Sequence, residues 1–245
     1  MKILVCISNV PDTTTKVSFT NNNTELNPAG VQYILNPYDE IALARAIEIA
    51  EARTGTVSVI HVGEINSEPT IRKALAIGAD DAIRVNAPAH DSYFVAKQIA
   101  HVAMQENYDL ILTGRESSDF NGSQVPAMVG ELLNIPSVSI VKKITMEGSS
   151  ATLEREIEGG KEIIVANLPL IASASEGMAE PKIPNMRGIM SARSKPLNVV
   201  EAIEVSKLIS INVYEMPKLR SQVNLINASE ASKLIDLLHS EAKVI

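Results

Sequence analysis

Cysteine and aromatic rings are both scarce in this chain. A single Cys among 245 residues excludes an internal disulfide and removes any need for an oxidising compartment. Trp is absent, and five Tyr with three Phe leave few rings. A chain that wrapped a flavin or stacked nucleobases entirely by itself would offer more. Cations are outnumbered, with 22 Lys and Arg against 29 Asp and Glu, a net charge of −7. That balance is the opposite of the basic footprint of general nucleic-acid binding, so no nucleic-acid partner is expected. Long apolar runs are also missing at the start, where MKILVCISNVPD turns polar at Ser8-Asn9. The run is too short for a signal peptide or a membrane span and reads as a first strand. A cytoplasmic protein without membrane insertion is expected.

Self-contained catalytic machinery is equally hard to find. Neither G-x-G-x-x-G nor G-x-x-x-x-G-K-[ST] occurs, which removes the dinucleotide fingerprint and the P-loop, and there is no G-x-S-x-G elbow. His61, His90, His101 and His239 share no metal-ligand spacing with one another or with Cys6. Cys6 lies mid-strand, where a buried structural thiol is favoured over a reactive one. Glu154, Glu156 and Glu158 alternate onto one strand face, with Lys161 close to Glu158 across a turn. A solvated face is preferred to paired acid–base carboxylates, and docking of a partner's cations is a third reading. No residue is expected to act as catalyst.

What the chain does have is a core: 45% of it is hydrophobic. Short continuous apolar runs at 3–7, 57–62, 83–85 and 109–113 suit strands buried on both faces. Helical patterns lie between them. Asn36-Pro37 opens the first as N-cap and first residue, with Asp39 and Glu40 in its positive first turn. A second starts at Ser67 and closes at Gly78, and a third spans 91–106. The alternation predicts an α/β fold, an open, mostly parallel sheet with flanking helices. After about residue 140 the pattern changes to a β-hairpin turning at Gly159-Gly160, then to EPKIPNMRGIMSARSKP, which has no periodicity and reads as a functional loop. Residues 1–196 are expected to form the nucleotide-binding domain with its hairpin and loop. Residues 197–245, with no further βα unit, are expected to form an arm that packs on its own domain or on a partner.

The stretch GRESSDFNGSQVP, residues 114–126, stands where an open α/β sheet binds ligands, beyond the carboxyl end of a strand and before a helix. Ser123 is the expected N-cap, with Pro126 in the first turn, and free N–H groups at such a start favour an anion without Lys. The alternative is an ordinary capped turn. SNVPDT (8–13) and Asn36-Pro37-Tyr38-Asp39 should reach the same edge, which makes a mononucleotide crevice.

The segments ILVCISNVPD, NPYDEIALARAIEIAE, TIRKALAIGADDAIRV, GRESSDFNGSQVPAMVGELLNIP, LEREIEGGKE and EPKIPNMRGIMSARSKP, in this order and spacing, resemble the beta subunit of electron transfer flavoprotein. The resemblance runs to about residue 200 and is diffuse beyond. It implies one half of a heterodimer whose alpha subunit carries most of an interface FAD, with AMP held structurally in this chain. Electrons would come from acyl-CoA dehydrogenases and related dehydrogenases and pass to a membrane quinone oxidoreductase. Carried over by position, the nucleotide site would use Cys6, Ser8, Asn36, Pro37, Tyr38, Asp39 and Val62. The loop would add Gly114, Arg115, Asp119, Asn121, Gly122, Ser123, Gln124 and Val125. Tyr38 would approach the partner's flavin, with Thr13 nearby, and Glu156 would meet the partner's mobile flavin domain. Residues 184–192 match a partner-docking loop, with Pro184, Asn185, Met186 as anchor, Ile189 and Met190. Lys182, Arg187, Arg193 and Lys195 around it would steer acidic surfaces. Ser8, the Glu116–Asp119 core and Phe120 depart from the family pattern, so AMP, a second FAD as in electron-bifurcating members, and an empty pocket stay open in that order. A stand-alone adenine-nucleotide-binding protein is the reading from another class.

Overall fold

The computed structural model describes residues 1–218 and 223–245. The chain opens with β1 (Lys2–Cys6), then rises through an excursion of short strands, β2 (Asn9–Pro11), β3 (Phe19–Thr20), β4 (Glu25–Leu26) and β5 (Tyr33–Leu35). It returns as α1 (Pro37–Arg53), β6 (Thr56–Val62), α2 (Glu68–Ile77), β7 (Asp81–Asn86), α3 (Ser92–Ala103), β8 (Leu110–Gly114) and α4 (Val125–Leu133). The second half supplies β9 (Ser137–Glu147), β10 (Ser150–Ile157), β11 (Gly160–Asn167) and β12 (Leu170–Ala174). A short helix α5 (Met186–Ala192), the strand β13 (Leu197–Glu201) and a last helix α6 (Ala231–Leu237) complete it.

Nine strands form one sheet in the order β11-β10-β9-β12-β8-β1-β6-β7-β13. Only the pairings of β10 are antiparallel, so the sheet is α/β and mostly parallel, as the alternation predicts. Alternation along the strands builds two cores. Ile3, Val5, Val57, Val59, Leu110 and Leu112 face α1 and α2, whereas Leu4, Cys6, Ile60 and Ile111 face α3 and α4. Both faces being covered explains why these strands read as continuous apolar runs. Helix α1 lies against β1, β6, β8 and β12 together. Its small Ala42, Ala44 and Ala46, all fully buried, let it sit that close.

From β1 the chain builds outward through β6 and β7, then jumps back to place β8 on β1's other side. That reversal between β1 and β8 is the topological switch point, where strand-end connections diverge and leave a crevice.

Two segments differ from the sequence reading. Leu197–Glu201 joins the sheet beside β7, so the last strand lies past residue 196. Its half-exposed edge position leaves it no buried apolar run to announce it. Within the irregular loop, Met186–Ala192 is helical, started by Asn185, whose side-chain oxygen accepts the Gly188 N–H at 2.8 Å. Beyond β13, as far as residue 218, the chain forms neither helix nor strand and is tied down at intervals. Buried Gln98 brackets Ile203, donating to its carbonyl at 2.8 Å and accepting its N–H at 2.9 Å. The Asp91 carboxylate, which caps α3, also accepts the N–H groups of Leu208 and Ile209. Tyr214 stacks on Phe19 at 4.8 Å.

The hairpin β10–β11 pairs Ile157 with Gly160 and Glu156 with Lys161, and of its two glycines only Gly159 has a positive φ, 82°. This register carries Lys161 to Glu154, at 3.2 Å, rather than to Glu158, and Glu156 pairs with Lys142. Where β9 leaves the parallel sheet for the hairpin, Ile140 takes φ 59° and the register to β12 shifts. A β-branched residue there is strained. The Ser173 hydroxyl, buried in β12, accepts the Ile140 N–H at 2.9 Å and holds the bulge. Ser173→Ala strands that N–H, and denaturant titration is expected to show a loss of about 1–3 kcal/mol.

Candidate functional site

Three chain segments meet at the switch point because one carboxylate holds them. Asp39, in the first turn of α1, accepts the Ser8 N–H just past β1 at 2.7 Å and the Gly114 N–H at the end of β8 at 2.9 Å. It is 3% exposed. Burial pushes its carboxyl up to about 7, opposed by hydrogen bonds from the Asn36 side chain and from the Ser8 and Gly114 N–H groups. Gly114 cannot carry a side chain here: a Cβ would stand 2.3 Å from the Asp39 carboxylate and 2.7 Å from Tyr38 Cβ.

Asn36 is fully buried but does not cap α1 with its side chain. It reaches across the crevice instead, donating to the Glu116 carbonyl at 2.9 Å and accepting the Ser118 N–H at 3.2 Å. The loop after β8 is thus hung from the start of α1. Beyond Ser118 it swings outward: Asp119, Phe120, Asn121, Gly122, Ser123 and Gln124 are all exposed, with Asn121 and Ser123 at φ near 50°. Ser123 therefore does not cap α4. Its left-handed backbone turns the hydroxyl to Glu116, at 3.0 Å, and Gln124 stands at the N-cap without a side-chain bond. The first N–H groups of α4 have no side-chain acceptor, which is the arrangement that favours an anion.

Other expected site residues fall around this frame. Arg115 lies 5.4 Å from the Tyr38 ring centroid, so the cation covers the ring, and its Nε is buried without a hydrogen bond, 3.3 Å from Glu116. Cys6 and Val62 are buried at the ends of β1 and β6 in the core under α3 and α4, and burial drives the Cys6 thiol far up. That makes it an inert packing group. Pro37 is exposed at the start of α1. Thr13 is exposed in a turn organised by Asp12, and no hydrogen bond joins it to the crevice. A cavity of about 900 Å³ opens at the opposite, amino-terminal edge, lined by Met104, Tyr108, Leu133, Leu168 and Pro169. It includes none of the expected site residues.

The docking candidates form a separate surface. Met186 is 73% and Met190 69% exposed on α5, beside exposed Asn185 and Ile189, while Pro184 is half-buried. Of the nearby cations, Arg187 and Arg193 are exposed. Lys195 instead turns inward onto the Leu75 and Ala79 carbonyls, and Lys182 lies 3.9 Å from Glu51. Composition cannot tell an outward Lys from one that caps a neighbouring helix, so the expected steering charge is smaller than the count of cations suggests. Glu156 sits on the hairpin edge, apart from α5. Among the described residues there is no group of three or more metal-ligating side chains. No helix among them is long and apolar enough to cross a membrane.

The raised Asp39 carboxyl fixes a sign. Its folded value lies above the 3.8 of a free carboxyl, so the fold binds an extra proton between about pH 4 and 7. The stability that proton contributes is present at acid pH and lost as pH rises through 7. The stability of the wild type minus that of Asp39→Asn is therefore expected to grow as pH falls from 8 to 5, measured by paired denaturant titrations.

Comparison with known proteins shows the family. Residues 24–205 match the electron transfer flavoprotein domain family. The chain is 34% identical over 259 residues to the electron transfer flavoprotein subunit beta of Bacillus subtilis (strain 168), with all of both chains covered. It is 32% identical over 249 residues to that of Syntrophomonas wolfei, covering 100% of this chain and 98% of that one. With the subunit of Sus scrofa it shares 31% over 229 residues, covering 89% and 90%. By family match and by full-length identity, the chain belongs to the electron transfer flavoprotein beta-subunit family.

Proposed function

We propose that this chain is the scaffold half of an electron-carrying heterodimer, holding AMP in the switch-point crevice and a docking helix on its flank. An alpha-type subunit supplies most of the site for an FAD at the interface. Acyl-CoA dehydrogenases and related dehydrogenases deliver electrons, and a membrane quinone oxidoreductase receives them. The observation that carries the nucleotide reading is the uncapped start of α4, which follows the tight turn where Asp39 and Tyr38 fill the space a Cβ on Gly114 would need. Only glycine lets the end of β8 and the start of α1 approach so closely.

The residues fit a nucleoside monophosphate in their chemistry. The uncapped start of α4 and the Arg115 guanidinium offer donors to a phosphate, while the Glu116 carboxylate, engaged by Ser123, limits how much negative charge the loop accepts. Asn36 and Asp39 are spent on bracing the protein's own backbone, so they shape the site rather than contact the phosphate. FAD, when bound, supplies the reversible electron uptake. The chain's own part is positional: it fixes Tyr38 under Arg115, excludes water from the Asp39 brace and presents Met186 and Met190 outward.

Co-expression with an alpha-type subunit, followed by denaturation and quantification of released nucleotides, tests the cofactor reading. One FAD and one AMP per heterodimer are expected. Two FAD would replace the AMP assignment with a second flavin, and no flavin would overturn the heterodimer reading. Met186→Asp is expected to lower electron uptake from dehydrogenases about tenfold or more without loss of FAD, because it places a charge where an apolar pocket must close.

A further inference from the structure

Helix α2 touches the crevice at one end and carries α5 at the other. Near its start, the Thr70 hydroxyl donates to Asn9, in the strand just past β1, at 2.6 Å, and Lys73 pairs with Glu40 in the first turn of α1. The same helix grips the docking segment. Arg72 Nη1 donates to the carbonyls of Ala192 and Lys195, at 2.8 and 2.7 Å. Lys195 returns the grip, its ammonium donating to Leu75 and Ala79 carbonyls at 3.0 and 2.5 Å, where the end of α2 is electronegative. Gly188 completes the contact: a Cβ there would stand 2.3 Å from the Ala76 carbonyl oxygen, so α5 can lie this close only without one. Ala192 is buried in the same seam.

We propose that α2 is a rigid spacer that sets the position of the docking helix relative to the crevice, with Arg72, Lys195 and Gly188 as positioning residues. The idea rests on the docking reading of α5. An α-helix rises about 1.5 Å per residue, so Thr70 and Ala76 are separated by roughly 9 Å along one unbroken rod. A seven-residue helix such as α5 does not hold itself in water; its direction comes from what it is bonded to. The exposed Met186 and Met190 are therefore aimed by α2, and a bound donor protein is held in register with the elements that line the crevice. Arg72 and Lys195 are engaged with backbone carbonyls of their own chain, which separates them from the exposed Arg187 and Arg193.

The test uses the intact heterodimer with an acyl-CoA dehydrogenase as donor, comparing Arg72→Met, Arg72→Lys, Gly188→Ala and Met186→Asp. Arg72→Met keeps the apolar stem and removes two charge-assisted bonds. It is expected to raise KM for the dehydrogenase about tenfold, with kcat at saturation, FAD content and flavin midpoint potential unchanged. Arg72→Lys, which can still reach a carbonyl, is expected to recover part of that loss. Gly188→Ala is expected to raise KM by pushing α5 off α2, and gives an independent reading should Arg72→Met fold poorly. An unchanged KM in Arg72→Met and Gly188→Ala, with Met186→Asp still defective, overturns the spacer and leaves docking intact. An unchanged KM in Met186→Asp removes the docking reading and the spacer with it.

Discussion

A single buried carboxylate organises the middle of this protein. Parallel strands that diverge at a switch point leave unpaired N–H groups at their ends, and here Asp39 takes one from each side. Burial makes the interaction costly to lose: a carboxylate in the interior without its donors forfeits far more than a surface bond yields. Because α1 must bring Asp39 to that point, the helix is drawn tight over the sheet centre, which in turn demands its buried alanines. Gly114 is constrained by the same carboxylate from the other side. Asn36 extends the constraint outward by hanging the following loop from the start of the same helix.

The resulting architecture separates rigid from accessible parts. The donors left free beside the crevice are the first N–H groups of α4, whose partial charges are fixed by the fold. That suits an acidic chain, which brings only one Arg to the loop. The exposed Met186 and Met190 are elsewhere, on a helix too short to be independent and bonded to α2 instead. The crevice and the exposed methionines are thus joined by one helix.

Much of this was legible in the chain. Period-two burial with both faces covered writes continuous apolar runs, so the central strands and their crossover helices could be read directly, as could the convergence of SNVPDT, NPYD and the loop after β8. What escaped depended on distant partners. Asn36 has the residue type of a cap, yet its side chain is claimed by Glu116 and Ser118, some eighty residues on. Ser123 also has a cap's chemistry, but its backbone at φ 52° turns the hydroxyl away. The strand Leu197–Glu201 was hidden because an edge strand need not be apolar. Lys195 looked like one more surface cation, since nothing local marks the carbonyls it reaches. Asp39 was read as a first-turn acid and, by resemblance, as a nucleotide-site residue; its burial and its bonds to Ser8 and Gly114 come from two strands that flank it in space and not in sequence.

The bracket of Gln98 around Ile203 and the grip of Asp91 on Leu208 and Ile209 fix where the chain leaves the sheet and in which direction. The conformational entropy of those residues is already spent on folding, and each ordered residue represents about 1–2 kcal/mol. A surface that receives the chain beyond this root meets a segment with a set departure point, like a hinged strap with its first holes already riveted.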